Sequence, residues 1–248
     1  MLTDPNYLVP TTPPASTGIA WLRSSVARFS NGETHERRRA LAVAELAAID
    51  PDDLRALAIR RGTGPVEVLA EALGLPPTVA DDIALIAKSY HPHTTITPEA
   101  NQATTRLARL LRSPNPKGSN EPNGPTDPNH PANSSHPSGS SGSSGTSGTS
   151  GSSGTSGSSG SSGSSDERIA NRIALLVQSC DATKALVANT LADRTDPPVP
   201  KTRRIAPDGT TVEIDLTETP FGEGAHACPA RLHALALADG LVQAQRDR

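Results

Sequence analysis

A long run of small polar residues divides this chain into two parts. Residues 138–165 contain only Ser, Gly and Thr, and the segment before them is rich in Pro, Asn, Ser and Gly. Such segments bury too little apolar surface to offset the entropy that is lost on ordering. We therefore expect residues 113–165 to form a disordered linker, whose Ser/Gly/Thr part reaches roughly 30 Å. The foldable material is then 1–112 and 166–248.

The composition limits both the core and the class of partner. Either foldable part alone would have a small core, whereas the two docked together make a domain of ordinary size. The net charge of −3 gives no electrostatic case for nucleic acid. No run of about 18 apolar residues predicts a transmembrane helix, and the N-terminus lacks the basic-then-apolar order of a signal peptide. We expect a cytoplasmic protein without a nucleic-acid or membrane partner.

The hydrophobic pattern predicts a mainly α fold with one small β-hairpin. After an extended arm over 1–17, two helices are expected around a turn at Asn31-Gly32. Alternating apolar and polar residues around Asp208-Gly209 predict the hairpin at 201–216. The other predicted helices lie at 50–62, 65–76, 79–90, 97–113, 166–194 and 229–245.

The segment "PFGEGAHACPA" at 220–230 presents one of the chain's two cysteines on a glycine-containing loop. Gly222 and Gly224 allow tight backbone conformations and close approach to a flat ligand. Cys228 precedes Pro229, which suits the first position of a helix. The amide donors and the dipole at a helix N-terminus favour a thiolate, and a thiolate on such a loop suits ligation of heme iron.

Other accounts of this cysteine remain open at the level of sequence. Cys228 could be a buried structural residue on a turn. A zinc site with His226 and His233 would lack a paired Cys-x-x-Cys and a fourth ligand. A disulfide between Cys180 and Cys228 would need an oxidising compartment, to which nothing in the sequence points.

The loop resembles the heme-binding loop of cytochromes P-450, Phe-Gly-x-Gly-x-His/Arg-x-Cys-x-Gly. Phe221, Gly222, Gly224, His226 and Cys228 match this motif, and an alanine follows where the last glycine is usual. The resemblance implies a shortened, divergent, actinobacterial-type member of the superfamily with a truncated P-450-like helical fold. It also implies heme b as cofactor, with Cys228 as the iron ligand.

Two further segments resemble the parts of that family that hold the heme propionates. Residues 28–48 are similar to the C-helix region, in which His35 and Arg39 take the propionate-binding positions. A solvated helix laced with charges also explains this pattern. Arg204, or the adjacent Arg203, matches the second propionate-binding arginine of the family.

The helix predicted at 166–194 resembles the family's I-helix, which crosses the distal face of the heme. Asp181 and Thr183 are its candidate catalytic residues. Ala182, however, stands at the usual threonine position, and Leu191 stands at the glutamate of the Glu-x-x-Arg motif that ends in Arg194. A buried apolar helix with one polar cluster also accounts for most of this pattern.

The resemblance implies a monooxygenase that acts on a small organic molecule. Electrons would come from ferredoxin or a flavoprotein reductase, or peroxide would replace them. The alternative is a non-catalytic P-450-like partner or activator of another enzyme, or a degenerate remnant, which the substitutions in the I-helix-like segment favour. Outside these motifs, His91 and His93 are expected to lie on a solvated loop.

Overall fold

The computed structural model describes residues 1–113 and 159–248 of the chain, and most of these residues are helical. Two strands, β1 (Lys201–Ile205) and β2 (Thr211–Asp215), pair in antiparallel register. The helices are α1 (Gly18–Ser25), α2 (Gly32–Leu46), α3 (Pro51–Arg61), α4 (Pro65–Ala72), α5 (Val79–Lys88), α6 (Pro98–Arg112), α7 (Ser159–Leu191) and α8 (Arg231–Arg246).

Helix α7 is the centre of the fold. It contacts α1, α2, α4, α5, α6 and α8, and it buries Ile173, Leu176 and Val177 in the main apolar core. It begins at Ser159, earlier than the start at 166 that the sequence predicts. Residues 114–158 of the predicted linker lie outside the described residues.

Local capping signals account for several of the helix starts. The Asp50 side chain accepts hydrogen bonds from the backbone N–H groups of Asp52 and Asp53, at 2.8 and 3.2 Å, and Pro51 is the first residue of α3. The hairpin is also confirmed, and Gly209 in its turn has a φ of +82°. At such a φ a glycine is favoured over residues with a Cβ.

The start of the last helix differs from the sequence prediction. Helix α8 begins at Arg231, and Pro229 and Ala230 form a turn before it. Pro229 is therefore not its first helical residue. Cys228 lies one turn before the helix and not at its N-terminus, so the predicted effect of the helix dipole on the sulfur is weakened by distance.

Ion pairs and close packing fix the helices that surround the core. The largely buried Glu45 on α2 pairs with Arg168 and Arg172 on α7, at 2.8 and 3.4 Å. On α8, a Cβ at Gly240 would lie 2.5 Å from the backbone carbonyl oxygen of Arg55. Glycine at this position thus permits the close approach of α3 and α8.

The N-terminal arm packs across the hairpin and the start of α2. Leu8 and Ile205 exchange backbone hydrogen bonds of 3.0 and 2.7 Å, and the Asn31 side chain bonds both backbone groups of Val9. The arm thereby adds a short paired segment beside β1. In the part of the chain that the structure describes, no helix combines the length and apolarity needed to cross a membrane.

Candidate cofactor-binding site

A cavity of about 670 Å³ separates the cysteine loop from α7. Its volume lies in the range of about 300–1,000 Å³ that is usual for ligand and cofactor sites. The cysteine loop forms one wall, α7 forms another, and residues of α2 and β1 contribute from the sides. Most of the predicted site residues line this cavity: His35, Arg39, Thr183, Arg204, Phe221, Gly222, His226 and Cys228.

The cysteine loop folds back on itself through backbone hydrogen bonds. The Cys228 N–H donates to the Phe221 carbonyl oxygen at 2.8 Å, and the Gly222 N–H donates to the Thr219 carbonyl oxygen at 2.8 Å. Gly222 and Gly224 have φ values of +68° and +67°. Both positions therefore need the conformational freedom of glycine, as the sequence predicts.

The two glycines face different surroundings. Gly222 lines the cavity. Gly224 is not among its lining residues and packs under the N-terminal arm, where a Cβ would meet the Leu2 carbonyl oxygen at 3.0 Å and the Thr3 Cα at 3.1 Å. The role of Gly224 in this structure is to let the arm close over the outside of the loop.

The environment of Cys228 favours the neutral thiol. Burial raises the pKa of the Cys228 thiol, and this effect outweighs the Ala230 backbone N–H and the charges of Arg39 and Arg28, which lower it. The sequence predicted a thiolate stabilised by a helix N-terminus, whereas the protein surroundings of Cys228 raise the pKa of its thiol. A coordinated metal ion deprotonates a thiol outright.

His35 and His226 meet at the edge of the cavity. Their ring centroids are 3.9 Å apart with an interplanar angle of 39°. Burial, followed by the charge of Arg39, lowers the pKa of His35, whereas Glu36 raises it. The pKa of His226 is lowered to about 4 by burial, His35, Arg204 and Arg39, in that order. Both shifts favour the neutral form of the ring.

Two arginines reach the same region from different elements. The Arg39 Nη1 donates to the Ala227 carbonyl oxygen at 2.6 Å, which ties α2 to the cysteine loop. Arg204 is buried, and its Nη1 donates to the Thr202 hydroxyl and to the Arg203 carbonyl oxygen, each at 2.9 Å. Burial, followed by the charge of Arg28, lowers the pKa of Arg204. Arg203 instead pairs with Glu213 at 3.2 Å.

The structure separates the two candidate catalytic residues on α7. Thr183 is buried and lines the cavity, as does the neighbouring Ala182. Asp181 is exposed and is not among the lining residues. Farther along, Leu191 is exposed and Arg194 pairs with Asp196 at 2.7 Å.

Several cavity residues were not identified from the sequence. Arg28 lines the cavity, and its Nη1 donates to the Gln178 side-chain oxygen at 3.2 Å. The buried Asn171 accepts from the Ala27 backbone N–H and donates to the Ser25 carbonyl oxygen, so α7 positions the segment that carries Arg28. His91 and His93 are exposed loop residues, as expected, but they also line the cavity.

The donor set fits heme b. One cysteine sulfur lies on the wall opposite α7, and buried His and Arg side chains converge at one edge, where they can bind two carboxylates. Both cysteines are free thiols. Among the described residues, no group of three or more His, Cys, Asp or Glu side chains could hold a metal ion, which gives no support to the zinc alternative.

The comparisons with known proteins bear on the fold. No model of a protein family matches the chain, and no curated protein matches it. Among solved structures, it is similar to P450BioI in complex with an acyl carrier protein ligated to hexadec-9Z-enoic acid. The TM-score is 0.55 at 14% sequence identity, over 98% of this chain and 80% of that one. The chain therefore has a cytochrome P-450-like helical fold.

Proposed function

We propose that this chain is a heme-thiolate oxidoreductase of the monooxygenase type that acts on a small organic molecule. The observation that carries the proposal is the cavity itself. Seven of the eight residues that the motif analysis assigns to the heme line it together: His35, Arg39, Arg204, Phe221, Gly222, His226 and Cys228. They come from three separate segments of the chain, so their convergence is not a consequence of sequence proximity.

In this proposal, Cys228 is the proximal iron ligand. The loop that the Cys228 N–H closes onto the Phe221 carbonyl oxygen fixes the backbone that presents the sulfur. Arg39 and Arg204 would bind the propionates, and the adjacent His35 and His226 rings offer further donors beside them. When bound, the heme would supply the electron transfer and oxygen chemistry that a thiolate ligand promotes.

The α7 wall would hold the substrate and control protons. Ala174, Leu175 and Leu186 give this wall an apolar surface for an organic molecule. The Thr183 hydroxyl is the polar group of the candidate catalytic pair that reaches the cavity, where it can hold or pass a proton at its Oγ1. Asp181 faces outward and would exchange protons with solvent.

Protein partners belong to the same proposal. Ferredoxin or a flavoprotein reductase would supply electrons, or peroxide would replace them. The similar structure was solved as a complex with an acyl carrier protein, which supports the general idea that a chain of this fold works with a protein partner.

The same structure also favours a second candidate, a non-catalytic P-450-like partner of another enzyme. Ala182 occupies the usual threonine position, Asp181 lies outside the cavity lining, and Leu191 replaces the usual glutamate. The first two features weaken the oxygen-activating side, and the third removes the ion pair that the Glu-x-x-Arg motif supplies; none of them alters the cysteine loop. The retained cysteine loop opposes this candidate, because a pure scaffold needs no thiolate ligand.

Heme content and turnover together decide between the two candidates. The protein is expressed with heme precursor, and the heme-to-protein ratio is measured after gel filtration. Organic molecules that perturb the heme absorbance are then incubated with ferredoxin, its reductase and a nicotinamide cofactor, or with peroxide. We expect bound heme and an oxygenated product by mass spectrometry. Heme without product would favour the non-catalytic partner, and no bound heme would overturn the heme-thiolate proposal.

A further inference from the structure

The cavity wall is strongly basic. Apart from the Cys228 thiol, every titratable side chain among the described lining residues is an arginine or a histidine, and none of those residues is Asp or Glu. The basic residues are Arg28, His35, Arg39, His91, His93, Arg203, Arg204, His226 and His233. A cavity lined in this way attracts anions and disfavours cations.

Of the four arginines among the described residues that line the cavity, Arg28 is the one without a carboxylate partner or a proposed propionate. Arg203 pairs with Glu213 on the neighbouring strand. Arg39 and Arg204 are assigned to the two propionates under the proposed function. Arg28 has no carboxylate partner in the described part of the chain; its recorded contacts are the Gln178 side-chain oxygen at 3.2 Å and the Phe29 ring, whose centroid is 6.0 Å from the guanidinium carbon.

The position of Arg28 places this charge among other basic groups. Its charge lowers the pKa of the buried Arg204, although burial is the larger cause. The His91 and His93 rings stack with centroids 5.4 Å apart, and both side chains are exposed, so they lie where the cavity opens to solvent. The positive charges of Arg28 and Arg204 repel each other, and an anion bound beside them would relieve this repulsion.

The α7 wall beside Arg28 is less polar. Gln178 bonds Arg28 directly, and Ala182 and Leu186 continue along the same helix and also line the cavity. An anionic group at Arg28 would therefore have an apolar surface next to it for the rest of the molecule.

We infer that this cavity selects a small organic acid whose anionic group binds the Arg28 guanidinium, with His91 and His93 beside it and with its apolar body along α7. The inference deepens the proposed function and rests on it, because it assumes that Arg39 and Arg204 bind the heme propionates.

The test compares an acid with its neutral amide. Binding of octanoate and of octanamide to the heme-loaded protein is measured by isothermal titration calorimetry for wild type and Arg28→Gln. Arg109→Gln, an exposed residue of α6 away from the cavity, is the matched charge-removal control. We expect octanoate binding to weaken about tenfold or more in Arg28→Gln, because a charge-assisted hydrogen bond is lost. Octanamide binding and the Arg109→Gln variant should be unchanged.

Other outcomes overturn the inference. Equal octanoate affinity in wild type and Arg28→Gln would do so, as would a parallel loss of octanamide binding or no binding of either molecule to wild type. Heme absorbance is recorded on the same samples, and loss of heme from Arg28→Gln would assign its guanidinium to a propionate and also overturn the inference. If wild type itself takes up no heme, the proposed function fails, while the octanoate comparison on the heme-free protein still decides the role of Arg28.

Discussion

The imidazole rings of His35 and His226 lie against each other with centroids 3.9 Å apart, although 190 residues lie between them in the sequence. One ring comes from α2 and the other from the cysteine loop. Both rings line the same cavity as Arg39, Arg204 and Cys228. This ring contact, together with the hydrogen bond from Arg39 to the Ala227 carbonyl oxygen, joins α2 to the cysteine loop.

The low pKa of His35 predicts a pH dependence of stability. Since its folded-state pKa lies below the ordinary value of about 6.5, the unfolded chain binds a proton where the folded protein does not. His35 therefore contributes stability above about pH 6.5 that is lost as the pH falls through its lowered pKa, with a slope of at most about 1.4 kcal/mol per pH unit. Urea unfolding of the heme-free protein at about pH 7.5 and about pH 5.5 measures this loss.

The His35→Gln variant isolates this contribution from those of the other titratable groups. Glutamine cannot gain a proton in this pH range. The free energy of unfolding of the variant should therefore fall less between the two pH values than that of wild type. An equal fall in the two proteins would show that His35 does not titrate differently on folding.

The contact between the N-terminal arm and the cysteine loop predicts that two glycines differ in their tolerance of a Cβ. Gly222 and Gly224 have nearly the same φ, so alanine at either position costs about 1–2 kcal/mol in backbone strain. At Gly224 the Cβ also meets the Leu2 carbonyl oxygen at 3.0 Å, whereas at Gly222 it would lie 3.8 Å from the His226 carbonyl oxygen. Gly224→Ala should therefore lower the free energy of unfolding by about 1 kcal/mol more than Gly222→Ala.

Removal of residues 1–3 is the control for this difference, because it deletes the groups that the added Cβ would meet. In the shortened protein, the two alanine variants should be destabilised equally, as measured by urea unfolding. If Gly222→Ala is the more destabilising variant in the full chain, the arm does not close on Gly224 in the way described.

How far the sequence predicted these features depended on whether they were local. The hairpin and its Gly209 turn were predicted because turn chemistry involves neighbouring residues, and the cysteine loop was identified by a contiguous motif. The predicted start of the last helix at 229 was wrong, because Pro229 and Ala230 form a turn and α8 begins at Arg231. Proline at a helix start is a preference and does not fix the start.

The residues that were missed reach the cavity through tertiary packing. Arg28 lies in a short 3-10 helix, Ala27–Phe29, and its place depends on the hydrogen bonds of Asn171 to Ala27 and Ser25. Asn171 lies more than a hundred residues away from this segment along the chain, so no periodicity in the sequence reveals the contact. His91 and His93 lie in a loop, where a sequence pattern gives no direction to a side chain.

The placement of the candidate catalytic pair predicts different effects for its two members. Thr183→Val removes a buried hydroxyl from the cavity wall with little change in volume, and it should lower turnover about 100-fold. Asp181→Asn alters an exposed side chain outside the cavity lining and should leave turnover within about threefold of wild type, well short of the loss expected for a group that transfers protons. Product formation per heme is the measurement, and the reverse order of effects would contradict the assignment of Thr183.

The ion pairs between α2 and α7 predict where charge removal destabilises the fold. Glu45 is largely buried and forms ion pairs with Arg168 and Arg172. Glu45→Gln should therefore lower the free energy of unfolding by about 1–2 kcal/mol, as measured by thermal or urea unfolding. Asp196→Asn removes a carboxylate from an exposed pair with Arg194 and should have little effect. If the two variants prove equally stable, the Glu45 pairs do not hold α2 against α7.

Ligation of heme iron by Cys228 is the central claim, and one spectrum tests it most directly. The heme-loaded protein is reduced, exposed to carbon monoxide and compared with Cys228→Ala and with Cys180→Ala, which removes the other thiol from a buried site outside the cavity lining. We predict the Soret shift that is characteristic of a thiolate ligand in wild type and Cys180→Ala, and its loss in Cys228→Ala. Absence of that Soret shift from the wild-type spectrum, or its persistence in Cys228→Ala, would contradict the account.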